Sequence, residues 1–174
     1  MNSTRFSYPV RLTLEDGRVL VEFPDFLFAA TDTADWSDGA EGFDKDKCMA
    51  FLAQAQDCLD EAIATCIDEG EPIPVPQTSE AEWMGLVGED WGRTMIQPGP
   101  VIAAKAALYT AVRKAGITKV ALAALLDVDE KAVRRIMDPR HPTKIQAIDR
   151  ALVALGMCLE ITVREIPAPF KKIA

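Results

Sequence analysis

The sequence predicts an α+β protein: a small antiparallel sheet carrying one long helix, followed by an all-α unit with helix-turn-helix dimensions. Three observations predict it. Apolar residues alternate near the N-terminus, recur at threes and fours over residues 46–67, and beyond a Pro-Gly-Pro segment fill four short helical stretches in succession.

Taken in order, Phe6 to Leu14 places Phe6, Tyr8, Val10, Leu12 and Leu14 on one face, with Ser7, Arg11 and Thr13 on the other. A period of two marks a half-buried strand. Asp16-Gly17 is a two-residue hairpin signal, and Val19, Val21 and Phe23 resume the alternation until Pro24-Asp25. Phe26 to Thr31 is expected as a third strand, and Thr33 to Asp46, rich in Asp and Gly, as an exposed loop.

From Asp46 the period changes. Met49, Phe51, Leu52, Ala55, Cys58, Leu59, Ala62, Ile63, Cys66 and Ile67 define an amphipathic helix of about six turns. Asp44 or Asp46 is expected to cap it, and Gly70 with Pro72 to stop it. Pro72, Pro74 and Pro76 keep the chain extended, and Arg93 to Gln97 is expected as a further strand.

Pro98-Gly99-Pro100 reads as a linker, separating a first domain, 1–97, from a second, 101–174. Helices are expected over Val101–Ala115 with Gly116 as cap, over Lys119–Leu126 capped by Thr118, and over Glu130–Met137 after the turn Asp127-Val128-Asp129. A fourth, Lys144–Leu155, is expected to be capped by Thr143 and stopped by Gly156, with Cys158 to Ile166 as a terminal strand.

At 174 residues, two small domains fit the length. No apolar run approaches the roughly 18 residues of a membrane span, and Met1 to Phe6 lacks the apolar segment of a signal peptide. Cys48, Cys58 and Cys66 share one helix, where the first two lie ~15 Å apart, too far for a bridge. With Cys158 they read as four reduced, buried thiols of a cytoplasmic protein.

The charge is divided. Residues 1–100 hold 6 Lys+Arg against 20 Asp+Glu, and residues 101–174 hold 13 against 7, so a net −14 and a net +6 make up the overall −8. The first part repels nucleic acid and suits a basic protein; the second suits phosphate.

The second and third helices of the C-terminal part expect a shared core of Val120, Leu122, Ala123, Leu125, Leu126, Val128, Val133, Ile136 and Met137. Lys131, Ala132, Arg134 and Arg135 then face outward, where long cations reach phosphates and guanine edges in a major groove. Thr118 and Lys119 open the preceding helix, a place for a phosphate, and Arg140, His141 and Lys144 extend the basic rim. A solvated charged face on a plain helical bundle is the alternative reading, and two features count against DNA: Asp127 takes a turn position where glycine is expected, and Asp129 with Glu130 brings acid to the start of the groove-facing helix. One half-site per module calls for a homodimer or larger assembly.

No catalytic or metal site is expected, and no cofactor. His141 is the only histidine, the cysteine spacing matches no metal-binding pair, and nucleotide and nucleophile motifs are missing. A magnesium site among Asp32, Asp35, Asp38, Glu41, Asp44 and Asp46 would need rigid placement that a Gly-containing loop does not give.

YPVRLTLEDGRVLVEFPDF, the long helix and DEGEPIPVPQ together resemble the N-terminal domain of HicB-type antitoxins. KAALYTAVRKAGITKVALAALLDVDEKAVRRIMDPRHPTKIQAIDRALVALG resembles the helix-turn-helix domain carried by one branch of that family. The resemblance covers most of the chain; it departs between Thr31 and Met49, where TDTADWSDGAEGFDKDK replaces a shorter threonine-bearing connection. It implies a degenerate ribonuclease-H-like fold without an active site, a small basic HicA-type mRNA interferase as partner, and repression of the shared operon. A stand-alone helix-turn-helix regulator with a ligand- or protein-sensing N-terminal domain is the alternative that the residues leave open.

Overall fold

The structure, a computed structural model, describes residues 5–33, 45–76, 78–85 and 92–163. The acidic stretch 34–44, the Asp44 cap and the last part of the expected terminal strand lie outside them, as do the side chains of Asp46 and Cys48. The described chain is α+β, with one four-stranded antiparallel sheet and six helices. It divides into two compact units: the first draws on the chain up to Ala62 and on Pro74–Pro98, the second is Ile63–Ile73 with Gly99–Val163.

In the first unit β1 (Tyr8–Glu15), β2 (Arg18–Glu22), β3 (Ala30–Thr33) and β4 (Gly92–Ile96) lie in the order β3-β2-β1-β4. Leu12 sits opposite both Val21 and Gly92, so β1 is central and paired on both sides. The β1–β2 connection is the expected two-residue turn. Asp16 and Gly17 have φ of 48° and 75°, the doubly left-handed backbone that matches strand twist and that Asp and Gly tolerate best. Tyr8, Val10, Leu12, Val19, Val21 and Phe23 are buried, as the alternation requires.

The third strand begins four residues later than expected. Pro24 to Ala29 spend their backbone groups on tight turns instead: Phe26 N–H donates to the Phe23 carbonyl at 2.9 Å, Ala29 N–H to Phe26 at 2.9 Å, and Phe23 N–H to Ala29 at 3.3 Å. Only from Ala30 is the chain free to pair with β2.

Helix α1 (Lys45–Glu69) gives its first 18 residues to this unit and its last 7 to the other. Phe51, Ala55 and Leu59 are buried, while Met49 is exposed rather than part of the stripe. Its polar side chains reach the sheet at both edges. Gln54 donates to Thr31 Oγ1 at 3.2 Å and to the Asp32 carbonyl, and Gln56 to the Gln97 carbonyl at 3.0 Å. A short helix that the periodicity does not reveal, α2 (Glu80–Gly85), opens on a Ser79–Glu82 capping box. It buries Trp83, whose indole N–H donates to the Val10 carbonyl at 3.2 Å and whose ring carries the Arg93 guanidinium at 5.3 Å.

Asp25, in the turn after β2, has a buried carboxylate oxygen with no partner, and burial raises its pKa. The sign follows from linkage. Below the ordinary value of 3.8 the carboxyl is neutral in both states and costs nothing; as pH rises past it, the unfolded chain ionises first and the folded state loses ground. The stability of Asp25→Asn relative to the natural chain is therefore expected to increase from pH 3 to pH 7. Thermal melts of both proteins across that range check it, and a pH-independent difference contradicts it.

In the second unit α3 (Pro100–Ala115) packs against α5 (Glu130–Met137) and α6 (Ile145–Ala154), and α4 (Lys119–Leu126) against α5 and α6. Pro100 occupies the first helical position, and Gly116, at φ 64°, ends α3 with its N–H on the Arg113 carbonyl. The core is Ala104, Leu108, Leu122, Val133, Ile148, Ala151 and Leu152. The end of α1 is built into this unit: Tyr109 donates to the Glu71 carbonyl at 2.9 Å, Arg113 to the Gly70 carbonyl, and Arg140 pairs with Asp68.

Three expectations change here. Val120, Leu125 and Val128 are exposed, so the core of the α4–α5 pair is smaller than its apolar content. Helix α6 starts after Lys144, and the Thr143 hydroxyl lies 3.1 Å from the His141 carbonyl and 3.3 Å from that of Arg135 instead of capping. Residues 158–163 form no strand, and Cys158 is exposed among them rather than buried. Cys66 is buried and Cys58 half-buried, and burial pushes both thiols up, away from reactivity.

Candidate nucleic-acid interface

Helices α4 and α5, eight residues each, are joined by Asp127-Val128-Asp129. Local hydrogen bonds fix every step of this joint. Thr118 Oγ1 accepts from Ala121 N–H at 3.1 Å and so caps α4. Asp127 takes the left-handed conformation, φ 52° and ψ 49°, where glycine is the usual choice. Its N–H donates to Ala124 at 3.3 Å and that of Val128 to Ala123 at 3.1 Å, closing the α4 carbonyls. Asp129 Oδ1 then accepts from Ala132 N–H at 2.6 Å and starts α5. Two of the acids that count against a groove face in the sequence, Asp127 and Asp129, thus serve as caps.

Val133 and Met137 turn inward, while Lys131, Arg134 and Arg135 are exposed together on the opposite side of α5. Arg134 donates through Nε and Nη2 to Glu130 one turn earlier, at 3.1 and 2.7 Å. An exposed pair of this type contributes about 0.5 kcal/mol, which a phosphate displaces readily. Ala132 is half-buried. Lys119, at the first position of α4, and Lys144, at the cap position of α6, are exposed. Arg140 is engaged by the Asp68 carboxylate and is the one candidate whose charge is locally answered by an acid from α1.

Sequence reasoning missed Lys105. It lies on the buried stripe of α3 with Leu108 and Val112, is 1% exposed, and donates through Nζ to the carbonyls of Asp138 and His141, in the segment leaving α5. A cation at a core position of an apolar helix is the signal that marks it. Desolvation lowers its pKa, against the opposing charge of Asp138. The buried ammonium ties α3 to the segment that leaves α5. Among the described residues no group of His, Cys, Asp and Glu is placed to hold a metal ion, and no helix is long and apolar enough to cross a membrane.

A sheet-and-helix unit in an acidic half and a helical unit displaying a capped α4–turn–α5 pair define a two-part chain. No family model matches it. It is 29% identical over 157 residues to antitoxin HicB 1 of Photorhabdus laumondii, an alignment covering 90% of this chain and 86% of that one. It is 29% identical over 159 residues to antitoxin HicB 2 of the same organism, covering 91% and 97%, and 27% identical over 164 residues to antitoxin HicB of Pseudomonas fluorescens, covering 92% and 96%.

Proposed function

We propose that this chain is a non-enzymatic, cytoplasmic HicB-type antitoxin that binds and neutralises a HicA-type mRNA interferase and represses its own operon. The observation that carries the reading is the similarity to three antitoxins along about nine-tenths of the chain, spanning both units rather than one shared module. Residues 1–97, with 20 acids against 6 bases, are assigned to the basic toxin; complementary charge accelerates such an encounter. The degenerate ribonuclease-H-like fold belongs to the same proposal. Residues 101–174 are assigned to operator binding, with α4 and α5 as a helix-turn-helix and Lys131, Ala132, Arg134 and Arg135 toward the groove, flanked by Thr118, Lys119, Arg140 and Lys144. Co-purification with the small basic protein encoded beside this chain, together with protection of their shared promoter from nuclease, is the test; the absence of both a complex and a footprint contradicts it.

A two-fold-related operator calls for a homodimer. Ile161 and Val163 are exposed, apolar side chains that pairing with the same segment of a second copy would cover. Removal of residues 158–174 is expected to yield monomers with poor operator affinity. Sedimentation showing an intact dimer after the deletion places the interface elsewhere.

A further inference from the structure

The turn that displaces β3 carries the most exposed large apolar side chain among the described residues of the sheet unit. Leu27 is 99% exposed and Phe28, beside it, 61%. Exposed loops normally present polar residues, and adjacent apolar side chains standing free in water mark contact sites. These two stand on a rigid base. Three backbone hydrogen bonds close the turn, Phe26 beneath it is 1% exposed, and the Phe26 ring lies 5.0 Å from that of Tyr8 and edge-on to Phe28 at 6.0 Å. An apolar tip on a fixed backbone enters a partner's recess without the entropy loss that a mobile loop suffers, which is the setting in which single side chains dominate binding.

Charge decides between occupants. Residues 1–62 and 74–98, which make up the sheet unit, hold 17 acids against 6 bases, which disfavours nucleic acid, an anionic membrane and a second copy of the same acidic unit. A basic protein with an apolar recess satisfies both features at once. We propose that Leu27, with Phe28 at its side, is the anchor through which the sheet unit seats its basic protein partner, an inference that rests on the antitoxin reading and deepens it by naming the contact.

The test uses the full chain and the purified small basic toxin encoded beside it, with affinity measured by calorimetry. Leu27→Asp is expected to weaken the complex about 30-fold or more, while Leu27→Met stays within a few-fold. Because Leu27 makes little contact within its own fold, far-ultraviolet circular dichroism and the melting temperature of Leu27→Asp are expected to match the natural chain. Equal toxin affinity in Leu27→Asp and the natural chain overturns the anchor while leaving the antitoxin reading intact. Loss of self-association without loss of toxin affinity also overturns it, by making the turn a contact between copies. Failure of the natural chain to bind the toxin overturns both.

Discussion

Replacing both Arg134 and Arg135 by alanine is expected to lower the proposed operator affinity about a hundredfold or more while the protein remains folded. Both side chains stand on the exposed face of α5, and Val133 and Met137 hold the opposite face in the core, so truncation beyond Cβ removes little packing. Surface changes of this kind alter stability by about 0.5 kcal/mol or less. The ion pair lost with Arg134, to Glu130, is exposed. On the DNA side the losses are larger: about 1–3 kcal/mol of discrimination for an arginine reading a guanine edge, and about 0.9 in the salt slope for each phosphate contact removed. Anisotropy titrations of promoter DNA over a range of salt separate the two roles for each single variant. Unchanged affinity in the double variant takes α5 out of the interface.

Lys105→Ala is expected to destabilise the second unit by about 3 kcal/mol, the loss of a buried side chain combined with two charge-assisted hydrogen bonds to carbonyls that keep only His141 N–H and the Thr143 hydroxyl as donors. The pH dependence has a definite sign. Burial lowers the pKa of Lys105 below its ordinary 10.5, so just under that value the unfolded chain binds the proton more tightly than the folded one. Stability relative to the non-titrating variant therefore rises with pH in the window between the lowered value and 10.5, and is level below it. Denaturant unfolding of both proteins from pH 7 to pH 10.5 measures this. A loss below about 1 kcal/mol contradicts the buried tie between α3 and the end of α5.

The sheet hairpin and the α4–turn–α5 pair were legible because each is specified locally. Asp16-Gly17 demands one turn geometry, and Thr118, Asp127 and Asp129 place caps at the spacing two eight-residue helices need. What was illegible depends on distant partners. Phe26 to Thr31 has strand composition, yet Pro24 starts turns whose closure at Ala29 is seen only in the hydrogen bonds. Val120 and Leu125 are apolar at helical spacing, but no element among the described residues covers them. The proposed boundary at Pro98-Gly99-Pro100 carries no sign that Ile63–Ile73 would belong to the second unit, because the contacts of Asp68, Gly70 and Glu71 are made with residues some forty to seventy positions away. Those acids also reduce the charge of that unit: Ile63–Ile73 with Gly99–Val163 holds 10 Lys+Arg and 9 Asp+Glu, leaving +1. The basic character assigned to the C-terminal part is thus a property of one helix face, Lys131, Arg134 and Arg135, more than of the whole unit.

For the same reason point substitutions in the full chain separate the two proposed activities better than cutting does, since a break at residues 98–100 strands Ile63, Cys66 and Ile73, all buried. The most direct measurement is growth of cells expressing the adjacent small basic toxin together with the full-length chain or its Arg134→Ala/Arg135→Ala variant. The antitoxin account predicts that both restore growth, and that only the unsubstituted chain silences a reporter driven by the shared promoter. Cells that stay arrested with the unsubstituted, expressed chain, and from which no toxin complex can be purified, contradict it.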